Sequence, residues 1–246
     1  MHPYGMCGDD FYVNLNLNTE MELDQSREST LHYFEQLRKK YPLMRNFYCR
    51  DKGEHVLEED KGRGQYRWAT VEAKRICSGV VNPDSVESAM EQHRFVLELT
   101  PFALSISQID CESLNLMYGF DFSYSGNHNQ LIAEALGVCP GFESLLELGG
   151  APLAYEPSIQ IAIDEDCRLQ CRVSVESRTS AYQVRTGEFP EDQLSVYVTA
   201  RRFGSLDPSE SFAQVLQTLS GVCEDVIEQH VLPNILLPLQ QTISAR

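Results

Sequence analysis

Alternation of apolar and polar residues marks several strands along this chain. Across residues 11–18 every odd position is apolar and most even positions are polar, as in a strand with one buried face. The same alternation runs through residues 114–124, 159–163, 169–176 and 194–201. Residues 164–167 are predicted to form a hairpin turn between two of these strands, and residues 51–53 a second such turn.

Capping residues and helical periodicity indicate where the helices begin and end. Residues 84–87 and 207–210 each combine a side-chain acceptor with a glutamate three positions later, and Pro208 suits a first helical position. A cap at Asn127 predicts a further helix that ends at Gly137. The helix predicted from residue 208 carries apolar side chains at helical spacing, so it should bury one face.

The predicted elements follow the same order in both halves of the chain: strand, helix, hairpin, strand, helix. They occupy residues 11–18, 26–41, 45–59, 66–80 and 84–99 in the first half, and 114–124, 128–137, 158–176, 193–203 and 208–230 in the second. The residues of the two halves barely match, so the alternative to a duplication is a chance likeness between common βαββ units. Between the halves, residues 101–112 are predicted to add a strand through Leu104, Ile106 and Ile109.

These elements predict an α+β fold with antiparallel sheets and a long C-terminal helix. The N-terminal lobe is predicted to span residues 1–110 and the C-terminal lobe residues 111–246, with the two lobes packed as one unit. The sequence leaves open whether the lobes share one sheet.

This order of elements resembles a sporadically distributed, uncharacterised bacterial protein family that has two βαββ-type halves. The resemblance is carried by the helix that runs from Phe34 to Tyr41 and stops at Pro42, and by the strand of residues 194–198 that precedes the helix with Phe212. It extends over most of the chain as a pattern. The resemblance implies the fold, and it implies no activity, cofactor or catalytic residue.

Charge restricts the classes of partner. With 20 Lys and Arg against 36 Asp and Glu, the formal net charge is −16. Such a surface repels a phosphate backbone unless a basic patch offsets it, and the basic stretches at residues 38–40 and 201–202 are short. We therefore expect no nucleic-acid partner.

The first residues contain neither a basic segment nor an apolar segment of the kind found in export signals. The apolar stretch at residues 231–239 contains Pro233 and Pro238 and is too short to cross a bilayer, which takes about 20 residues. A cytoplasmic protein without a membrane partner is the expectation. The eight cysteines are scattered, which favours reduced thiols over a disulfide framework.

Sequence motifs for known chemistry are missing. The chain has no phosphate-binding loop, dinucleotide fingerprint, zinc-protease helix or nucleophile elbow, so no catalytic residue, cofactor or metal is predicted. Residues 164–166 are acidic, but a solvated turn is the favoured interpretation. His128 follows a strand and begins a helix, where backbone N–H groups can hold an anion. The alternative is that Asn127 caps the helix and His128 is a solvated residue of its first turn.

The polar faces of the strands are the broadest functional lead. One face of an antiparallel sheet can carry polar side chains while helices cover the other. That polar face is predicted to hold Asn14, Asn16, Asp121, Ser123, Gln160, Gln170, Arg172, Ser174, Tyr197, Thr199 and Arg201. From this face and the helix start, the candidate ligand-binding residues are His128, Asn127, Tyr124, Arg172, Tyr197 and Arg201.

Two functions are compatible with these features. The first is a non-catalytic binding or assembly module that uses the polar sheet face, with an unidentified protein partner or a second copy of the chain. The alternative is a small-molecule pocket protein or enzyme with an apolar cavity between a curved sheet and the C-terminal helix. That cavity is predicted to be lined by Phe120, Phe122, Tyr124 and Phe212, with His128 at its rim.

Overall fold

The alternating segments of the sequence form nine strands in the computed structural model, which describes Tyr4 and residues 7–24, 26–50 and 53–246. The strands are β1 Asp10–Thr19, β2 Asn46–Arg50, β3 Glu54–Glu58, β4 Tyr66–Val71, β5 Arg75–Val81, β6 Cys111–Tyr124, β7 Ser158–Ala162, β8 Leu169–Glu176 and β9 Asp192–Phe203. The helices are α1 Arg27–Lys40, α2 Val86–Ala103, α3 His128–Leu136, α4 Pro140–Glu143, α5 Ala181–Thr186, α6 Phe212–Val226 and α7 Leu237–Ser244. A π-helix, Ile227–Leu236, connects α6 to α7.

All nine strands belong to one antiparallel sheet, in the order β2-β3-β4-β5-β1-β6-β9-β8-β7. Strand β1 of the first half pairs with β6 of the second half, from Asp10 opposite Asp121 to Leu17 opposite Leu114. The two halves therefore share a sheet, and the α+β class with antiparallel strands is confirmed. The repeat is not confirmed, because the first half contributes five strands and the second contributes four. The lobe boundary at residues 110 and 111 stays a prediction.

Alternate residues of the central strands form the core. Leu15 and Leu17 of β1, and Leu116 and Phe120 of β6, are fully buried. Helix α2 packs against β1 and β5, and α6 packs against β6 and β9, both over this apolar side of the sheet. Burying each such side chain contributes about 1.5–3 kcal/mol, so the helices are held mainly by their apolar stripes. We call the opposite side of the sheet the open face.

The segment predicted as one strand over residues 66–80 is a hairpin. Strands β4 and β5 pair with each other, and the N–H of Glu72 donates to the carbonyl of Arg75 at 2.8 Å across the turn between them. The Arg75 guanidinium also forms an ion pair with the Glu72 carboxylate, at 2.8 Å. No glycine or proline marks the turn, which is why the sequence pattern ran through it.

The prediction of a strand within residues 101–112 is wrong. Helix α2 continues past Pro101, and the N–H groups of Leu104 and Ile106 both donate to the carbonyl of Thr100. Their alternating apolar side chains are buried where the helix ends, while Ile109 is 78% exposed in a 3-10 turn. The alternation of apolar residues at positions 104–109 is therefore produced by the end of a helix and a turn, not by a strand.

The C-terminal helix begins later than predicted. Residues 207–210 form a turn, and Ser211 caps the helix by accepting a hydrogen bond from the N–H of Gln214. The long C-terminal helix itself is confirmed, since α6, the π-helix and α7 follow one another without a break up to Ser244. Across the described residues, the helices are too short or too polar to cross a membrane.

Candidate functional site

The open face carries the polar residues that the strand alternation assigned to it. The register pairs Asn14 with Met117, Met117 with Thr199 and Thr199 with Arg172, and directly opposed residues point to the same side of a sheet. By the same register, all eleven predicted residues lie on the open face. The prediction of which side each residue faces is therefore consistent across five strands.

A cleft of about 270 Å³ lies on this face, over the centre of the sheet. We call it the central cleft. Its lining residues are Asp10, Tyr12, Asn14, Tyr66, Trp68, Val81, Asp121 and Gln193. Strands β4, β5, β1, β6 and β9 each contribute at least one of them, so the cleft depends on the pairing of both halves of the chain.

Two glycines allow the aromatic rings of the cleft to lie on the sheet. A Cβ atom on Gly79 would overlap the indole of Trp68, and a Cβ atom on Gly119 would overlap the ring of Tyr12. Gly79 lies opposite Trp68, and Gly119 lies opposite Tyr12, in neighbouring strands. The rings therefore rest on exposed backbone and form rigid walls, an arrangement known for aromatic side chains beside strand glycines.

Two carboxyl groups face each other within the cleft. Asp10 and Asp121 are directly opposed across β1 and β6. Asp121 is only 8% exposed, and the hydroxyl of Tyr12 donates to its Oδ1 at 3.2 Å. Burial raises the pKa of the Asp121 carboxyl above its ordinary value, and the Asp10 carboxylate raises it further, while the Ser195 and Tyr12 hydroxyls and the Arg178 guanidinium act in the opposite direction.

The side chain of Asn14, a lining residue of the cleft, contains an unpaired acceptor. Its Oδ1 atom is buried beside Gly79 and has no hydrogen-bond partner. Most buried polar atoms in folded proteins are paired, so an unpaired one in a cleft lining indicates a position where a ligand donor fits. The neighbouring Asn16 and Asn18 belong to the same strand face, but they lie outside the cleft lining.

The buried side-chain amide of Gln92, on the helix side of the sheet, fixes the strands that lie under the cleft. The Nε2 of Gln92 in α2 donates to Ser78 Oγ at 2.9 Å, and it also bonds the carbonyls of Gly79 at 3.1 Å and Trp68 at 3.3 Å. Arg67 donates in turn to Gln92 Oε1 at 3.1 Å. Because these bonds fix the backbone of β4 and β5, they also fix the indole that stands on the other side.

Of the candidate ligand-binding residues predicted on the open face, Tyr197 borders the central cleft. Its ring lies edge-on to that of Tyr12, with the centroids 6.4 Å apart, and its hydroxyl accepts from Arg178 at 3.4 Å. Arg172 donates instead to Ser158 Oγ at 3.1 Å, and Arg201 donates to Asn115. These two guanidinium groups lie on the same face but outside the cleft.

His128 and its predicted neighbours form a separate, filled cluster at the start of α3. His128 is 1% exposed; its Nε2 contacts the Tyr124 carbonyl at 3.1 Å, and its Nδ1 accepts from the Arg178 N–H at 3.3 Å. The Asn127 side chain accepts from two N–H groups of the first turn. The His128 N–H donates to Thr179. These bonds occupy the positions that an anion would take, so the cluster has a structural role.

Three of the four residues predicted to line an apolar cavity lie within the packed core, and the fourth, Tyr124, is half-buried against it. Phe120, Phe122 and Phe212 are each at most 5% exposed and belong to the continuous hydrophobic core. The hydroxyl of Tyr124 accepts from Arg246 at 2.6 Å. None of the clefts described for this protein is lined by any of the four residues.

Sequence reasoning missed Asp10, Tyr66 and Trp68 as members of the site. Tyr66 and Trp68 alternate with Arg67 and Ala69, and Trp68 is the single tryptophan of the chain, which together are the available signal. The alternation alone could not show that Gly79 lies beneath the indole, because the turn of the β4–β5 hairpin was not recognised.

Two other surface features are prominent. A cleft of about 400 Å³ near the start of β2 is lined by three arginines, Arg45, Arg63 and Arg67, and by as many carboxylates, so its charges balance. An apolar surface, which we call the apolar edge surface, lies at the β7 edge of the sheet, where two clefts adjoin at Tyr155. It is formed by Phe142, Leu145, Leu146, Leu148, Tyr155, Ile159 and Ile161.

No model of a known protein family matches the chain. No curated protein sequence matches it significantly either. Inferences about function therefore start from the geometry of the central cleft.

Proposed function

We propose that this protein is a non-catalytic binding module whose ligand occupies the central cleft of the open face. The observation that carries the proposal is the combination of rigid aromatic walls with an unpaired buried acceptor and two opposed carboxyl groups. Concave sites with apolar walls and few polar groups are typical of ligand binding. The unpaired acceptor of Asn14 and the opposed carboxyl groups of Asp10 and Asp121 each cost stability, which a ligand would recover.

The lining lacks the side chains of the commonest nucleophilic sites. The eight lining residues include no histidine, cysteine, serine, threonine or lysine, so a serine or cysteine nucleophile with a histidine base is not among them. They include no arginine either, which disfavours a phosphate ligand.

The single tryptophan provides the test. Trp68 gives one indole N–H signal in a ¹H–¹⁵N spectrum, and that signal reports on the cleft alone. We expect a library of small cations, neutral molecules and anions to contain members that shift this signal in a saturable manner. A library without any such member would contradict the binding function.

Assembly through the β7 edge is a second candidate, favoured by the apolar edge surface. Strand β7 is an edge strand whose five residues are all exposed, and none of them is charged. The occupant that fits is a second copy of this chain, since antiparallel pairing about Gln160 sets Ile159 of one copy against Ile161 of the other. Two copies with a net charge of −16 repel each other, so an uncharged strand is the suitable contact.

Light scattering tests the assembly. We expect a dimeric mass for the unmodified protein and a monomeric mass for Ile161→Lys. Phe102→Lys is the control, because Phe102 is 88% exposed at the end of α2 and should leave the dimer intact. A monomeric mass for the unmodified protein at high concentration would exclude this candidate.

A further inference from the structure

We propose that the ligand of the central cleft is an organic ammonium ion that carries at least one N–H group. The inference rests on the proposed binding function and adds the chemical class of the ligand. It is carried by two opposed carboxyl groups, three aromatic rings and one unpaired acceptor that surround the same space. Each of these groups attracts one part of an alkylammonium ion.

The carboxyl groups supply negative charge that the lining does not neutralise. Directly opposed like charges destabilise a sheet, yet Asp10 and Asp121 occupy such a pair at the cleft. Asp10 accepts from the Asn82 amide at 2.6 Å, and Asp121 accepts from the Tyr12 hydroxyl, so both known partners are neutral. The Arg178 guanidinium, which lowers the pKa of Asp121, donates to Tyr197 and does not belong to the lining. A ligand cation would complete the charge balance.

The aromatic rings favour a cation over a neutral ligand. The faces of tryptophan and tyrosine rings attract ammonium groups, most strongly where water is excluded. The chain itself uses this attraction at the edge of the cleft, where the Lys61 ammonium lies 5.8 Å from the centroid of the Tyr66 ring. Tyr12 and Trp68 line the cleft with rings that rest on glycines.

The unpaired acceptor and the size of the cleft indicate which kind of ammonium ion fits. Asn14 Oδ1 needs a hydrogen-bond donor, which a primary or secondary ammonium ion has and a quaternary ion lacks. The volume of about 270 Å³ suits a small amine or the amine end of a longer molecule. The net charge of −16 adds a field that draws cations toward the protein.

The experiment compares four probes of similar shape by the shift of the Trp68 indole signal: n-butylammonium, butyltrimethylammonium, n-butanol and butyrate. We expect the strongest binding from n-butylammonium, weaker binding from the quaternary ion, and none from butyrate. Binding of n-butylammonium should weaken as salt is added, because the attraction is between charges.

Matched variants test the assigned residues. Asp121→Asn and Asp10→Asn keep the side-chain shape and remove a charge, so each is expected to weaken n-butylammonium binding about tenfold or more. Asp166→Asn, in the exposed β7–β8 turn, is the control and should bind as the unmodified protein does. Two aspartate variants are used because, if one of them fails to fold, the other still tests whether the carboxyl groups bind the ammonium ion.

The outcomes separate this inference from the proposed function. Equal binding of n-butanol and n-butylammonium, or unchanged binding in both aspartate variants, would overturn the ammonium ligand. Preference for a neutral sugar over all four probes would overturn it as well. If other library members still shift the Trp68 signal, the binding function stands without the ammonium inference; if none does, both fail.

Discussion

At the scale of single residues, Asp121 connects stability to the proposed site. Its pKa is raised in the folded protein, first by burial, so the folded state keeps this proton to a higher pH than the unfolded chain does. Above the folded-state pKa the buried charge therefore costs stability, and below the ordinary pKa of about 3.9 it costs nothing. A buried carboxyl group that destabilises the protein near neutral pH and faces another carboxylate is typical of a functional position.

Asp121→Asn tests this account of the buried carboxyl group. We expect a higher melting temperature than that of the unmodified protein at pH 7, because the amide needs no charge and can still accept from Tyr12. The difference should narrow as the pH falls toward the ordinary pKa of about 3.9, and it should vanish below that value, where the carboxyl is protonated in both states. Thermal unfolding followed by circular dichroism measures both values. A lower melting temperature for the variant at pH 7 would show that the charge is well compensated.

His93 makes the fold sensitive to acid. It lies on the buried face of α2 and is 0% exposed, its Nδ1 contacts Ser78 Oγ at 3.1 Å, and burial lowers its pKa to about 3. Between the ordinary histidine pKa of about 6.5 and that value, the unfolded chain binds one more proton, so stability falls by about 1.4 kcal/mol for each pH unit lost.

The prediction for His93 concerns the slope of stability against pH. Urea unfolding at pH 7, 6 and 5 should show a slope that is smaller by about 1.4 kcal/mol per unit in His93→Gln than in the unmodified protein. His32→Gln is the control, because His32 is exposed on α1. Equal slopes in the two variants would mean that His93 takes up its proton in the folded state.

Individual residues show what the sequence can and cannot predict. Alternation correctly assigned Asn14 and Asp121 to the open face, because a strand has only two sides. It could not bring Trp68 beside Asn14, since that proximity depends on the pairing of β4, β5 and β1. His128 was correctly placed at a helix start, but its partners Thr179 and the N–H of Arg178 lie about fifty residues further along the chain.

At the scale of elements, the β4–β5 hairpin and the helix behind it build the wall of the cleft. Gly79 is required there, because any side chain would displace the indole of Trp68 or the amide of Asn14. The sequence predicted one continuous strand over residues 66–80, because the turn that divides it into β4 and β5 contains neither glycine nor proline. The Arg75–Glu72 ion pair stabilises this turn instead, and no local sequence pattern predicts it.

Substitution of two glycines tests the wall. We expect Gly79→Ala to lower the free energy of unfolding by about 1–3 kcal/mol, because the added methyl group overpacks the ring. The emission of Trp68 should also shift to the red as the ring moves toward water. Gly221→Ala, on an exposed position of α6 with open space around it, should instead raise stability by about 0.5–1 kcal/mol.

Urea unfolding and tryptophan fluorescence of both variants give these values. If Gly79→Ala unfolds at the same urea concentration as the unmodified protein and keeps its emission maximum, the ring does not rest on Gly79. The description of the cleft walls would then need revision.

At the scale of the whole molecule, one sheet unites both halves of the chain. The helices on its apolar side account for the core, and the cleft lies over the strands where the halves meet. The sequence predicted the class and most strands, because alternation and capping act locally. It left the sheet order open, since the β1–β6 pairing joins residues about a hundred positions apart.

The shared sheet predicts how fragments behave. A fragment of residues 111–246 leaves the β6 edge bare along the length that β1 covers, so we expect it to show no cooperative thermal transition. Addition of the fragment of residues 1–110 should restore the transition. Circular dichroism during heating measures both cases, and a sharp transition of the C-terminal fragment alone would reveal two independent domains.

The central claim, that the open face is the binding face, is tested most directly by mapping where a cation binds. In ¹H–¹⁵N spectra of the labelled protein titrated with n-butylammonium, we predict that the largest shift changes fall on Tyr12, Trp68, Gly79, Gly119 and Asp121. These residues come from four strands and meet only at the central cleft. Changes concentrated on the apolar edge surface would contradict the claim. Signals in the cleft that stay unchanged with n-butylammonium and with every member of the ligand library would contradict it as well.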